Sequence, residues 1–280
     1  MNDSGAHTKS LKEKLLERMQ ELELRPKRAL GQNFLIDSYV VSQIVKAVNA
    51  LPVLQIIEIG PGLGALTDEL IKLERDRILI EFDRKFAAYW RSRGENVIEN
   101  DALKMDWSEH LKQDDRASKI NKSVLVSNLP YQIASRIVVE RSFDDFPIPF
   151  MVLMFQREVA DRLVASARSA EYGLLSVIAQ AFWTIEKVVD ASPECFYPKP
   201  NVSSRVLKFA RKKEVASDRK FLAFIKQAFQ YRRKLLVKNL KSYEGQLRGL
   251  LTGLGLSETA RPEELTVDQY LALFNKIAGS

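Results

Sequence analysis

The sequence predicts an α/β chain, a doubly wound parallel sheet followed by a small all-helical C-terminal domain. Three observations predict it. Short apolar runs alternate with helical patterns between Leu54 and Phe155, the rhythm of strand–helix–strand units. A glycine turn, Gly60-Pro61-Gly62-Leu63-Gly64, joins the first of those runs to the helix after it. From Phe221 onward every pattern is helical and no strand run occurs.

Taken in order, residues 1–9 read as disordered. Leu11, Leu15 and Leu22 mark a short amphipathic helix to about Leu24, which Pro26 ends. After a glycine- and amide-bearing stretch, Asp37 is a candidate N-cap for a helix to about Ala50, with Val40, Val41, Ile44, Val45 and Val48 on its buried face. Strands are expected at 54–59, 77–82, 96–99, 124–127 and 150–155, and helices at 66–73, 85–91 and from about 133. Two further helices, 157–167 and 172–183, precede strands at 187–190 and 202–209, which flank a proline-rich loop. Polar residues 210–218 read as a linker. The division expected is an extension over 1–25, a catalytic domain over 26–212 and a helical domain over 213–280.

Between Arg205 and Arg248 fourteen basic residues face three acidic ones, a net +11, whereas the rest of the chain is −4. Such a block favours a polyanion such as RNA; the plainer alternative is a solvated helix face. Arg232, Arg233, Lys234 and Lys238 are its candidate phosphate contacts, on a helix. Cys195 is the only cysteine and His7 and His110 are the only histidines. A reducing cytoplasm and no metal site are therefore expected. No apolar run reaches the length of a membrane span, and nothing suggests an obligate interface, so a monomer is expected.

Glycines at a strand-to-helix turn let a ligand approach the backbone where a Cβ would block it. Glu58, just ahead of the turn, would repel a pyrophosphate but not a ligand bearing a sulfonium and an ammonium. Glu81 ends the second strand, where an acid can accept both hydroxyls of a ribose. Asp101 follows the third, placed to accept from the amine of adenine. Each acid alone could equally be a helix cap or a surface charge. Three at consecutive strand ends imply S-adenosylmethionine. The strand at 124–127 runs into Asn128-Leu129-Pro130-Tyr131, where Pro130 stops it and leaves an amide, carbonyls and a phenol ring at the sheet edge.

The chain resembles the ribosomal RNA adenine N6-dimethyltransferases, in particular the bacterial small-subunit group. The resemblance is carried from Leu30-Gly-Gln-Asn-Phe-Leu35 through Glu58-Ile-Gly-Pro-Gly-Leu-Gly64, Ile80-Glu-Phe-Asp83, Asp101-Ala102 and Asn128-Leu129-Pro130-Tyr131. It continues through Gln156–Leu163, Tyr172–Ser176, Phe196–Ser204 and Phe229–Lys234. It implies a Rossmann-like seven-stranded S-adenosylmethionine-dependent methyltransferase sheet with a small helical C-terminal domain. It further implies that Asn33 and Leu35 touch the methionine end of the cofactor, that Gly60 lies against it, and that Glu81 and Asp101 hold ribose and adenine. Asn128 would contact both cofactor and target base, and Tyr131 and Phe196 would sandwich that base. The implied reaction is transfer of methyl groups to N6 of two adjacent adenines in the 3′-terminal hairpin loop of 16S ribosomal RNA, on the immature 30S subunit. The Asn128 side-chain oxygen and the Leu129 carbonyl would accept the two N–H bonds of N6. Leu30 and the extra N-terminal helix depart from the family pattern. The rivals are a large-subunit RNA methyltransferase of the macrolide-resistance type, a non-catalytic RNA-binding assembly factor and a small-molecule methyltransferase.

Overall fold

The computed structural model describes residues 9–23, 33–111, 119–128, 131–144, 147–212 and 218–278. Residues 24–32, which include Leu30 of the first motif, residues 112–118, Leu129, Pro130 and the middle of the expected 210–218 linker lie outside them.

The strands are β1 (Phe34–Leu35), β2 (Gln55–Ile59), β3 (Asp76–Glu81), β4 (Val97–Glu99), β5 (Ser123–Ser127), β6 (Phe150–Gln156), β7 (Trp183–Ala191), β8 (Phe196–Tyr197) and β9 (Ser204–Arg211). The helices are α1 (Leu11–Glu21), α2 (Ser38–Asn49), α3 (Thr67–Ile71), α4 (Arg84–Ser92), α5 (Trp107–Leu111), α6 (Tyr131–Ser142), α7 (Arg157–Leu163) and α8 (Leu174–Phe182). After them come α9 (Arg219–Ala228), α10 (Leu236–Asn239), α11 (Glu244–Gly253) and α12 (Val267–Ala278). Asp37 caps α2 as expected, accepting the Val40 N–H at 2.8 Å.

Seven strands form one sheet in the order β4-β3-β2-β5-β6-β9-β7. β4, β3, β2, β5 and β6 are parallel neighbours. β2 and β5 lie mid-sheet and are buried at every residue, which is why their sequences read as unbroken apolar runs. The last two strands correct the all-parallel expectation. The Arg157 N–H at the end of β6 bonds to Ser203 O at the start of β9. The Lys212 N–H just past β9 bonds to Phe182 O just ahead of β7. Both pairs are therefore antiparallel, and for β7 and β9 the chain between them holds no crossover helix, which a parallel pair would need. β1 and β8 form a separate two-stranded antiparallel ribbon that pairs Leu35 with Phe196 and Phe34 with Tyr197.

Two boundaries move for local reasons. α7 stops at Leu163 instead of 167, because α8 side chains take over its carbonyls: Ser176 Oγ donates to Arg162 O, and Gln180 Nε2 to Leu163 O and Ala165 O. Trp183 leaves the helix and opens β7, its indole N–H donating to Ser142 Oγ at 2.8 Å.

The chain divides into two compact units. One comprises Met1–Ala134, Ile148–Arg157 and Glu186–Lys208 and carries most of the sheet. The other comprises Ser135–Pro147, Glu158–Ile185 and Phe209–Ser280, where α8 packs against α9 and α12. Among the described residues no helix is long and apolar enough to cross a membrane.

Candidate active site: a cavity at the carboxyl ends of the strands

The parallel strands β2, β3 and β5 end side by side, and their ends carry the residues the sequence singles out. β2 leads into the glycine turn, whose Gly60, Gly62 and Gly64 all have positive φ. At Gly62 (φ +52°) a side chain would be strained, and its Cβ would lie 3.3 Å from the Phe34 ring. The turn's polar atoms are held from outside. The Trp90 indole N–H donates to Gly62 O at 2.9 Å, and the Gly62 N–H donates to Glu81 Oε2 at 3.2 Å.

Above the turn lies a cavity of about 290 Å³, close to the lower end of the roughly 300–1,000 Å³ common for small-molecule sites. Asn33, Leu35, Gly60, Glu81, Asp101 and Asn128 all line it. Residues nearly a hundred positions apart in sequence thus converge because consecutive parallel strands deliver their carboxyl ends to one edge.

The three acids differ in surroundings. Glu58 is 2% exposed, lines the cavity, and its Oε2 has no hydrogen-bond partner among the described residues. Burial pushes its carboxyl up to about 8, with the neighbouring Glu81 carboxylate acting in the same direction. Glu81 is also raised by burial, but backbone N–H groups oppose the shift: Asp83 donates to Oε1 at 2.8 Å and Gly62 to Oε2. Asp101 accepts the Leu103 N–H on Oδ1, and its Oδ2 lies 3.7 Å from Lys104 Nζ. A buried carboxyl group with one unpartnered oxygen, a second carboxylate at the next strand end and a glycine cradle fit a ligand that is cationic at one end and a nucleoside at the other.

Asn128 follows β5 directly and faces the cavity. The neighbouring Ser127 hydroxyl donates to Ile59 O at 2.8 Å, tying the end of β5 to the end of β2. Leu129 lies outside the described residues, and Tyr131 is described only as the first residue of α6. Phe196 is not brought to the cavity. It is 3% exposed, sits on β8 opposite Leu35 and belongs to the core cluster with Leu35 and Ala191. Cys195 beside it is partly buried against the same cluster.

The sequence reading missed Trp90, Phe34 and Leu15, the last two of which line the cavity. The leucine spacing of the first helix is the one signal that points to Leu15, and it shows a buried face without showing what that face covers.

In the second unit the basic trio is not on a helix. α9 ends at Ala228, and Arg232, Arg233 and Lys234 lie in the turn before α10. Asn239 holds that turn, its amide donating to Ala228 O and Tyr231 O. Arg232 donates to Ser169 O and Ala170 O, while Arg233 and Lys234 are exposed. Lys234 Nζ lies 4.1 Å from the centre of the exposed Tyr231 ring. Lys238 is ion-paired with Glu244, as are Arg219 with Glu140 and Arg248 with Glu258. Part of the +11 block is therefore spent inside the unit.

Residues 23–279 match the family described as ribosomal RNA adenine dimethylase. The chain is 48% identical to the ribosomal RNA small subunit methyltransferase A of Bdellovibrio bacteriovorus, over 92% of this chain and 95% of that one. It is 35% identical to the protein of the same name from Natranaerobius thermophilus, over 92% and 94%. Its fold is similar to that of a dimethyladenosine transferase from Plasmodium falciparum (TM-score 0.71, 20% identity, 88% of this chain and 98% of that one). It is similar also to the fold of the 23S ribosomal RNA methyltransferase ErmE (TM-score 0.63, 22% identity, 88% and 100%).

Proposed function

Because the chain belongs to the ribosomal RNA adenine dimethylase family, we propose that it transfers methyl groups from S-adenosylmethionine to N6 of two adjacent adenines in the 3′-terminal hairpin of 16S ribosomal RNA. The observation that carries this reading is the convergence of Asn33, Leu35, Gly60, Glu81, Asp101 and Asn128 on one cavity at the strand ends. Identity of 48% to a small-subunit methyltransferase across nearly the whole chain supports the small-subunit target.

When bound, S-adenosylmethionine supplies a methyl group made electrophilic by the sulfonium. Asn33 and Leu35 would hold its methionine end, with Gly60 against it, and Glu81 and Asp101 would hold ribose and adenine. Glu58 is buried with one carboxylate oxygen unpartnered, and its carboxyl, raised by burial, would ionise to balance the charge of a cation entering the cavity.

The target N6 is a poor nucleophile because its lone pair is delocalised into the ring. The assigned task of Asn128 is to accept one N6–H on its side-chain oxygen while the Leu129 carbonyl accepts the other. That is catalysis by orientation and by electrostatic stabilisation of the forming ammonium. The proton becomes acidic only after alkylation, so no strong base is required. For the second transfer one N–H remains, and the site must take a methyl in place of one hydrogen bond.

Tyr131 and Phe196 are proposed to flank the extruded base, recovering about 1–3 kcal/mol of stacking per base. For Phe196 this requires the ring to turn out of the core cluster it occupies. Residues 26–212 are the proposed catalytic domain and 213–280 the proposed RNA-binding domain, with Arg232, Arg233, Lys234 and Lys238 contacting phosphates. The proposed setting is the cytoplasm, with the protein acting as a monomer on immature 30S particles.

The test is transfer of labelled methyl groups to 30S and 50S particles from a strain lacking this activity. The reading expects label in 30S particles only; label confined to 50S particles would refute the small-subunit assignment.

A further inference from the structure

We propose that α1 is a working part of the cofactor pocket, in which Arg18 is a positioning residue for the glycine turn and Leu15 forms part of the wall. The family match begins at residue 23, and α1 precedes it. The proposal deepens the reading of the cavity as the S-adenosylmethionine site and rests on that reading.

α1 is a specified helix and not a stray end. Ser10 caps it and Glu13 closes the box: the Glu13 N–H donates to Ser10 Oγ at 3.2 Å, and the Ser10 N–H donates to Glu13 Oε2 at 2.7 Å. Its apolar face is committed to the site. Leu15 and Met19 are buried in a cluster with Leu63 of the glycine turn and Phe86, and Leu15 lines the cavity. One turn along the helix, Arg18 reaches two elements at once. Its Nη1 donates to Leu63 O at 2.6 Å, and its Nη2 pairs with Asp68 Oδ2 on α3 at 2.7 Å. Both side chains are largely shielded, with 15% and 20% exposure, so the contact is stronger than a surface ion pair.

Gly64 shows how closely this clamp is fitted. A Cβ there would lie 2.5 Å from Arg18 Nη1 and 2.7 Å from the Trp90 ring. The missing side chain makes the seat in which guanidinium and indole meet. The turn is then held at three successive points: the Gly62 N–H by Glu81, Gly62 O by Trp90 and Leu63 O by Arg18. Two of these holds come from within the family match and the third comes from α1. A ligand that approaches the turn's backbone gains affinity when that backbone is already in its bound shape. α1 also extends toward the proposed base platform, with Lys12 Nζ 5.8 Å from the ring centre of Tyr197, which follows Phe196 on β8.

The experiment compares full-length wild type with Arg18→Ala, Arg18→Lys, Asp68→Asn and Leu15→Ala. The readouts are calorimetric affinity for S-adenosylhomocysteine, melting temperature, and KM for cofactor and for RNA. Tyr270→Phe, which removes a buried hydrogen bond to Pro262 O in the other unit, serves as a stability control. Arg18→Ala should weaken S-adenosylhomocysteine binding and raise the cofactor KM about tenfold, with RNA KM changed less than about twofold. Arg18→Lys should restore only part, because an ammonium cannot span a carbonyl and a carboxylate as a planar fork does. Asp68→Asn should fall between wild type and Arg18→Ala, and Tyr270→Phe should lower melting without moving affinity. If Arg18→Ala does not fold, Arg18→Lys and Asp68→Asn carry the test. Variants that bind S-adenosylhomocysteine as tightly as wild type, whatever their melting temperature, would overturn the role of α1 alone. A wild type that does not bind it would overturn the cofactor reading and this proposal with it.

Discussion

Gly62 donates its backbone N–H to Glu81 Oε2 at 3.2 Å, and the other oxygen of Glu81 takes the Asp83 N–H at 2.8 Å. One carboxylate therefore shapes the glycine turn on one side and the start of α4 on the other, and still has lone pairs directed to the cavity it lines. Glu81→Ala removes both functions. We expect S-adenosylhomocysteine affinity to fall by about 1.5–3 kcal/mol, the worth of hydrogen bonds to a charged group, with a measurable drop in melting temperature. Calorimetry and thermal unfolding on the same samples check it. An unchanged affinity would remove Glu81 from the site.

Glu58 predicts a dependence on pH. Its carboxyl is shifted by burial from 4.5 to about 8, so folding favours the protonated form. The stability this contributes is fully present below the unfolded value of 4.5 and is lost as the pH rises through about 8. Between about pH 5 and about pH 9 the ligand-free protein should therefore lose stability more steeply than Glu58→Gln does. A cationic ligand favours the ionised carboxylate, so binding near neutral pH should release a proton. Calorimetry in buffers of different ionisation enthalpy measures that release, and Glu58→Gln should abolish it.

Phe196 calls for a variant that respects its burial. Phe196→Ala would empty core volume, at a cost of about 3–5 kcal/mol, and would confuse folding with function. Phe196→Leu keeps most of the apolar volume and removes the aromatic face. Transfer to RNA should fall while cofactor affinity and melting temperature change little. Equal loss of cofactor affinity and transfer would argue against a stacking role.

For the basic turn, Arg233 and Lys234 are the exposed members, whereas Arg232 spends donors on Ser169 O and Ala170 O. Arg233→Ala combined with Lys234→Ala should flatten the log–log salt dependence of RNA binding by about one to two units. Arg232→Ala should cost stability as well. A slope unchanged in the double variant would remove this turn from the RNA face.

What the sequence made legible follows burial and position. β2 and β5 are covered along their whole length, so their apolar runs announced them, and the proposed site acids lie at or just past the ends of β2, β3 and β4. β7 terminates the sheet order and alternates exposed and buried residues. Its first residue, Trp183, therefore read as the end of a helix, and only 187–190 read as strand. The β1–β8 ribbon has two residues per strand and no period to detect. Asn128, Glu81 and Asp101 were readable because strand ends mark a site. Arg18 and Trp90 were not, since a helix's own pattern shows which face is buried and not which backbone it will brace.

The most direct measurement is the chemical identity of the product on 30S particles that lack the modification. Wild-type protein and labelled S-adenosylmethionine should give N6,N6-dimethyladenosine at two adjacent adenines of the 3′-terminal hairpin, as read by nucleoside mass spectrometry with fragment mapping. Asn128→Ala should bind the particles as wild type does and leave those adenines unmodified. Methyl groups on another atom or another base, or near-wild-type dimethylation by Asn128→Ala, would contradict this account.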